Sequence, residues 1–208
     1  MFNHPSYLQE FRNLVLSLGN ISTALEVGAY SGELMDVLKD IGIKVSGISL
    51  KTTRSDVVIG DFLKQTYTGK FDLVYSSGVL EHYEIEDIRR FIRKMKSLSN
   101  YWVLNIVPNS RCNSYMQAKR NTNQEWGNEK DFTVDELLKL HLEFGEGEFI
   151  AGEIGYGWAK IFNPTEDVPY LVYTAIHYLN DNHSPIDPGR KICYDKITNL
   201  KGGDVYGI

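Results

Sequence analysis

Residues 24–32 read ALEVGAYSG. The apolar run Ala24, Leu25 and Val27 carries one acid, Glu26, and passes directly into Gly28, Ala29, Tyr30, Ser31 and Gly32. Leu34, Leu38 and Ile41 then recur at helical spacing, with Glu33, Asp36, Lys39 and Asp40 among them. The pattern predicts a strand, a glycine turn and a helix. In such a unit Gly28 permits positive φ and close backbone approach to a ligand. The helix beginning near Ser31 turns unpaired N–H groups and a positive dipole end toward the same place. An anionic or zwitterionic small molecule suits that position.

The glycine spacing narrows the ligand. A dinucleotide fingerprint needs G-x-G-x-x-G after the strand, whereas this chain has G-x-x-x-G with an acid two residues before the first glycine. A second stretch, residues 71–82, reads FDLVYSSGVLEH. Its small Ser76 and Ser77 at a strand's carboxyl end leave room for a ligand where open α/β sheets place one.

These two stretches resemble motifs I and IV of the class I S-adenosylmethionine-dependent methyltransferases. Glu26, Gly28 and Gly32 match the form (Asp/Glu)-x-Gly-x-Gly-x-Gly, and Tyr30 stands where the middle glycine usually is. Residues 71–82 match FD-h-h-x-s-x-x-h-L-E-H, where h is apolar, at the expected distance downstream.

Composition excludes several other classes. Of 208 residues, 42% are hydrophobic and 24% charged, as in a globular chain, and the length suits one α/β domain. The formal net charge of −5 lacks the basic surplus of a nucleic-acid binder. No apolar run approaches the ~20 residues of a membrane span. The opening MFNHPSYLQEF has neither the basic nor the apolar region of a secretory leader. Cys112 and Cys193 are far apart and form no metal-type pair. The expectation is two reduced thiols in a cytoplasmic protein, without a metal; a disulfide is open but not suggested.

The remaining elements follow from periodicity. Pro5–Leu18 is an expected helix, with Ser6 and Gln9 as a capping box and Tyr7, Phe11, Leu14 and Leu18 as its stripe. That stripe packs on the domain, or Tyr7 roofs a substrate pocket. Strands are expected at Lys44–Leu50, Asp56–Ile59, Phe71–Ser77, Tyr101–Val107, Phe144–Ala151 and Tyr170–Leu179, and helices at Glu86–Leu98 and Thr133–His141. Thr133 with Glu136 forms another capping box. Asn105, the one polar side chain in its run, is either a structural bridge or part of the pocket. Residues 108–132 are polar and weakly periodic, the pattern of a lid over an acceptor, with a short helix near Ser114 to Lys119 and with Tyr115 and Trp126 facing the pocket. Residues 152–169 read as a loop. The methyltransferase-like domain thus spans 1–179, and 180–208 is a polar C-terminal extension.

The resemblance implies an α/β fold: a Rossmann-like, seven-stranded, mostly parallel sheet with helices on both faces and an antiparallel last strand. It implies methyl transfer from S-adenosylmethionine to a small-molecule acceptor through an oxygen or nitrogen. Glu26, Gly28, Tyr30 and Gly32 would meet the amino-acid end of the cofactor, and Ser77 the methionine moiety. Ser49 takes the place of the acid that usually binds both ribose hydroxyls. Asp61 and Phe62 would bind and stack on the adenine. His82 is the candidate catalytic residue, able to take a proton from a hydroxyl or amine. Two rival readings stay open. Tyr30 and Ser49 suit a degenerate fold that binds without catalysis, and Lys51 and Arg54 suit an enzyme using another nucleotide.

Overall fold

The computed structural model describes residues 4–121 and 129–179. Each apolar run read as a strand enters one sheet: β1 (Thr23–Val27), β2 (Lys44–Ser49), β3 (Val57–Ile59), β4 (Phe71–Ser77), β5 (Ser99–Pro108), β6 (Gly147–Ile154) and β7 (Leu171–Tyr178). The order is β3-β2-β1-β4-β5-β7-β6. β7 pairs antiparallel with both β5 and β6, and the other pairs are parallel. The Rossmann-like sheet with its antiparallel last strand is therefore as expected.

Helices cover both faces, which is why the strands are apolar on both sides. Alternate residues of β4 separate the two layers. Leu73 and Tyr75 pack with α1 (Pro5–Ser17) and α2 (Glu33–Asp40). Val74 packs with α3 (Ile85–Leu98) and α5 (Val134–Leu142). Between β5 and α5 lies α4 (Asn113–Asn121), the short helix expected near Ser114. Buried Glu166 accepts from the Ser114 amide at 2.9 Å and caps the start of that helix.

Two local expectations fail. The Ser6–Gln9 capping box does not form: Pro5 takes the first helical position, so the cap falls on His4, whose Nδ1 accepts from the Ser6 amide. Gln9 donates instead to Asn13. Residues 152–169 are not a plain loop, because β6 continues to Ile154 and α6 (Tyr156–Phe162) follows. This helix is too short to stand alone. Glu10 of α1 accepts the Gly155 amide at 2.7 Å, and Trp158 packs 5.7 Å from the Tyr7 ring. Cys112 is buried and unpaired; Cys193, the tail and Trp126 lie outside the described residues. Among the described residues no helix is long and apolar enough to cross a membrane.

Candidate active site

Parallel register brings Val27 beside both Ile48 and Ser76. The residues that follow, Gly28, Ser49 and Ser77, therefore share one edge of the sheet. The connections from β1 run toward β2 on one side, and β4 continues on the other. Such a reversal, at the strands' carboxyl ends, is where open α/β sheets place a ligand crevice.

Gly28 has φ +87°, and both its amide and that of Ala29 donate to the Ile48 carbonyl, at 2.8 and 3.2 Å. A Cβ at Gly28 would lie 2.3 Å from Val79 Cγ2. Gly32, at φ +73°, is the N-cap of α2, and a Cβ there would lie 2.6 Å from Arg54 Cδ. Bare backbone is thus required at both positions. The β2–β3 loop clasps this turn: Thr52 Oγ1 donates to the Tyr30 carbonyl at 2.8 Å, and Lys51 Nζ lies 5.6 Å from the Tyr30 ring. Arg54 is held by two carboxylates, Asp36 at 2.7 Å and Asp56 at 2.8 Å. It is an internal brace of the clasp, which removes much of its value as an anion ligand. Tyr30 is 52% exposed.

Other candidates settle differently. Glu26 is buried and accepts from the Tyr75 hydroxyl at 2.8 Å; burial pushes its pKa up to about 7 despite that bond. Through that bond it braces the turn from inside. Ser49 lies buried at the end of β2, its carbonyl accepting the Gly60 amide. Asp61 Oδ1 accepts from the Leu63 amide at 2.9 Å, and Lys64 Nζ lies 3.3 Å from the carboxylate. Its pKa is lowered: partial burial works against the charge, and those two partners outweigh it. Phe62 is a buried core residue with one ring face stacked on Phe91 at 5.4 Å.

Tyr7 and Ser77 meet: their hydroxyls lie 2.8 Å apart, hydrogen-bonded across 70 positions of sequence. Tyr7 is fully buried and supports Ser77 from beneath; it is not an exposed roof. Asn105, read as either a structural bridge or part of the pocket, is also fully buried, its Nδ2 at 3.5 Å from Met95 Sδ and its Oδ1 without a partner. The reason is position: it sits in mid-strand between Ser76 and Thr174, under α3. Replacing so poorly bonded an amide by a side chain of similar volume is nearly neutral. Asn105→Leu is expected to stay within about 1 kcal/mol of wild type in urea unfolding, with KM unchanged.

Beyond Ser77 the chain makes a 3-10 turn, Leu80–His82. His82 is half exposed, with Nε2 4.0 Å from Glu81 Oε1 and Nδ1 3.7 Å from Glu129 Oε1. The Tyr115 hydroxyl donates to Glu129 Oε2 at 2.9 Å, and the Lys130 amide donates to the Glu81 carbonyl at 2.7 Å. The Glu81 side chain is buried, and burial pushes its pKa up to about 8, Glu129 adding to the effect. A separate cavity of about 330 Å³ lies over the middle of β1 and β2 beside residues 65–71, away from these strand ends.

A family model for a methyltransferase domain matches residues 4–151. The chain belongs to that family. The resemblance read from residues 24–32 and 71–82 is borne out. No curated protein sequence matches this methyltransferase. Solved structures share its fold. Magnesium protoporphyrin IX methyltransferase from Synechocystis, with bound SAH, aligns at a TM-score of 0.61 and 14% identity over 83% of this chain and 82% of that one. For 1,6-didemethyltoxoflavin-N1-methyltransferase from Burkholderia thailandensis, with bound 1,6-didemethyltoxoflavin and S-adenosylhomocysteine, the TM-score is 0.62 at 16% identity over 85% of this chain and 80% of that one. A SAM-dependent methyltransferase from Archaeoglobus fulgidus aligns at 0.60 and 16% identity over 82% and 92%.

In this methyltransferase the sequence reading missed two groups. The Thr52 and Arg54 clasp carries no local signal, because its partners are spread over α2 and the glycine turn. The Glu81–His82–Glu129 cluster was half visible in the Leu-Glu-His run, but Glu129 joins it only through the fold.

Proposed function

We propose that this methyltransferase moves the methyl group of S-adenosylmethionine to an oxygen or nitrogen of a small-molecule acceptor. The observation that carries the reading is the meeting of Gly28, Ser49 and Ser77 at the β1–β4 reversal, with a Cβ excluded at Gly28 and Gly32. The residues fit the cofactor. Bare backbone at Gly28 to Gly32 and the α2 N-terminus suit its zwitterionic end. Ser49 would face the ribose, and Asp61 the adenine amine.

When bound, the cofactor supplies an electrophilic methyl carbon. The chain's own part is placement. Near-attack alignment of nucleophile, methyl and sulfur supplies much of the acceleration in such a reaction. Ser77, steadied by Tyr7, holds the floor of the crevice, and His82 is the side chain that meets the acceptor. The 1,6-didemethyltoxoflavin-N1-methyltransferase structure, which shares this fold and holds S-adenosylhomocysteine beside a small molecule, supports a small-molecule acceptor.

Calorimetric titration with S-adenosylhomocysteine tests the reading: one saturable site is expected, and no heat at millimolar ligand would overturn it. Mass spectrometry of phenol, hydroxy-acid and amine mixtures then reads methylation directly. Ser49→Asp restores a carboxylate that can pair with both ribose hydroxyls. Charge-assisted bonds are worth about 1.5–3 kcal/mol, so affinity is expected to rise about tenfold or more. Unchanged affinity would place the ribose elsewhere.

A further inference from the structure

Glu81, His82 and Glu129 offer one ligand atom each within 4.8 Å of one another. Two features set this cluster apart from ordinary surface acids. The Glu81 residue is 1% exposed, yet its Oε2 has no hydrogen-bond partner. A carboxyl oxygen left without a partner at such depth is costly, and a bound cation would supply the missing partner. Among the described residues, no lysine or arginine is ion-paired with either Glu81 or Glu129. The neighbouring ammonium groups pair with other carboxylates, Lys119 with Asp131 at 2.6 Å while also donating to the Glu129 backbone carbonyl, and Lys130 with Glu84 at 3.0 Å.

The chemistry matches a metal ion. Two carboxylates and one imidazole suit a divalent cation of the manganese or zinc type. Metal–ligand bonds of about 2.0–2.2 Å put two ligands on one ion roughly 3.0–3.5 Å apart. The three ligand atoms, one from each residue, lie within 4.8 Å of one another, so a bound ion draws them together by up to about 1.5 Å. Three protein ligands leave coordination positions open, the arrangement of a catalytic site. Tyr115, donating to Glu129 Oε2, orients that ligand from behind.

We propose that Glu81, His82 and Glu129 bind a divalent transition-metal cation whose open positions receive a donor atom of the methyl acceptor. This rests on the methyltransferase reading and extends it, since His82 then acts as a ligand beside the acceptor. The cation neutralises the buried carboxylate and fixes the nucleophile next to the crevice floor at Ser77. The acceptor class that fits is one carrying an oxygen donor for the ion.

The test is titration of the full-length, chelator-treated protein with Mn2+, followed by the loss of the free-ion electron paramagnetic resonance signal. One bound equivalent is expected. Glu81→Gln, Glu129→Gln and His82→Ala should each weaken binding by more than about tenfold, at least the loss seen when a metal ligand's supporting partner is removed. Glu129 and His82 are less buried than Glu81, so their variants report even where Glu81→Gln perturbs folding. S-adenosylhomocysteine is titrated into the same samples. Cofactor binding without Mn2+ binding overturns the cation site alone. Failure of both overturns the methyltransferase reading as well. Mn2+ binding that survives all three substitutions also overturns the proposal, because the ion is then held elsewhere.

Discussion

Gly28→Ala is expected to lower kcat/KM by about 100-fold. Two independent costs produce it. The backbone at Gly28 has φ +87°, a region that costs a residue with a side chain roughly 1–3 kcal/mol. The new Cβ would also lie 2.3 Å from Val79 Cγ2. Relief of that contact moves Val79 and the turn by about 1 Å, at the edge of the proposed cofactor crevice. Displacement of that size can cost 10²-fold in rate, or about 2.7 kcal/mol. Steady-state kinetics and titration with S-adenosylhomocysteine measure the loss. The double variant Gly28→Ala with Val79→Ala removes the contact but not the backbone cost, so it should recover activity only in part. Wild-type affinity in the single variant would show that the cofactor does not approach this turn.

His141→Leu is expected to make the fold less sensitive to acid. His141 is fully buried on α5, its Nδ1 3.0 Å from the Tyr178 hydroxyl and its Nε2 without a partner. Burial lowers its pKa from 6.5 to about 3. The unfolded chain therefore takes up a proton near pH 6.5 that the folded chain refuses until about pH 3. The stability contributed is fully present above pH 6.5 and is lost as the pH falls. The slope is about 1.4 kcal/mol per unit, so roughly 2 kcal/mol is gone at pH 5.

Glu26 works in the opposite direction. Its folded pKa of about 7 lies above the ordinary 4.5, so its contribution falls as pH rises between those values. The informative quantity is therefore the difference between wild type and variant in urea unfolding at pH 7 and pH 5. Leucine keeps most of the volume, and Tyr178 still donates to the residue-141 carbonyl. A gap that shifts by about 2 kcal/mol in the variant's favour at pH 5 is expected. Parallel profiles would mean that His141 takes its proton without unfolding.

Much of the fold was legible because local patterns carried it. The β1 run ending at Gly28, the FDLVYSS run of β4 and the Thr133–Glu136 box are short-range signals, and each formed where its spacing placed it. α6 was not legible, since its seven residues are helical only against Tyr7 and Glu10. Within the candidate site, Gly28, Ser49 and Ser77 could be read as strand-end residues, and Gly32 as the start of the following helix. The inward turn of Glu26 toward Tyr75, the burial of Asn105 and the stacking of Phe62 on Phe91 could not.

The amino-acid order by itself determined the strand–turn–helix units, the two glycines and the motif pair that mark the family. Backbone geometry fixes side-chain periodicity within a few residues, so these features need no distant partner. The tertiary structure alone decided that Tyr7 reaches Ser77, that Arg54 closes over Gly32 and that Glu129 comes to Glu81 and His82. Those meetings depend on strand register and on burial, which remove water from some polar groups and leave others to find partners far along the chain.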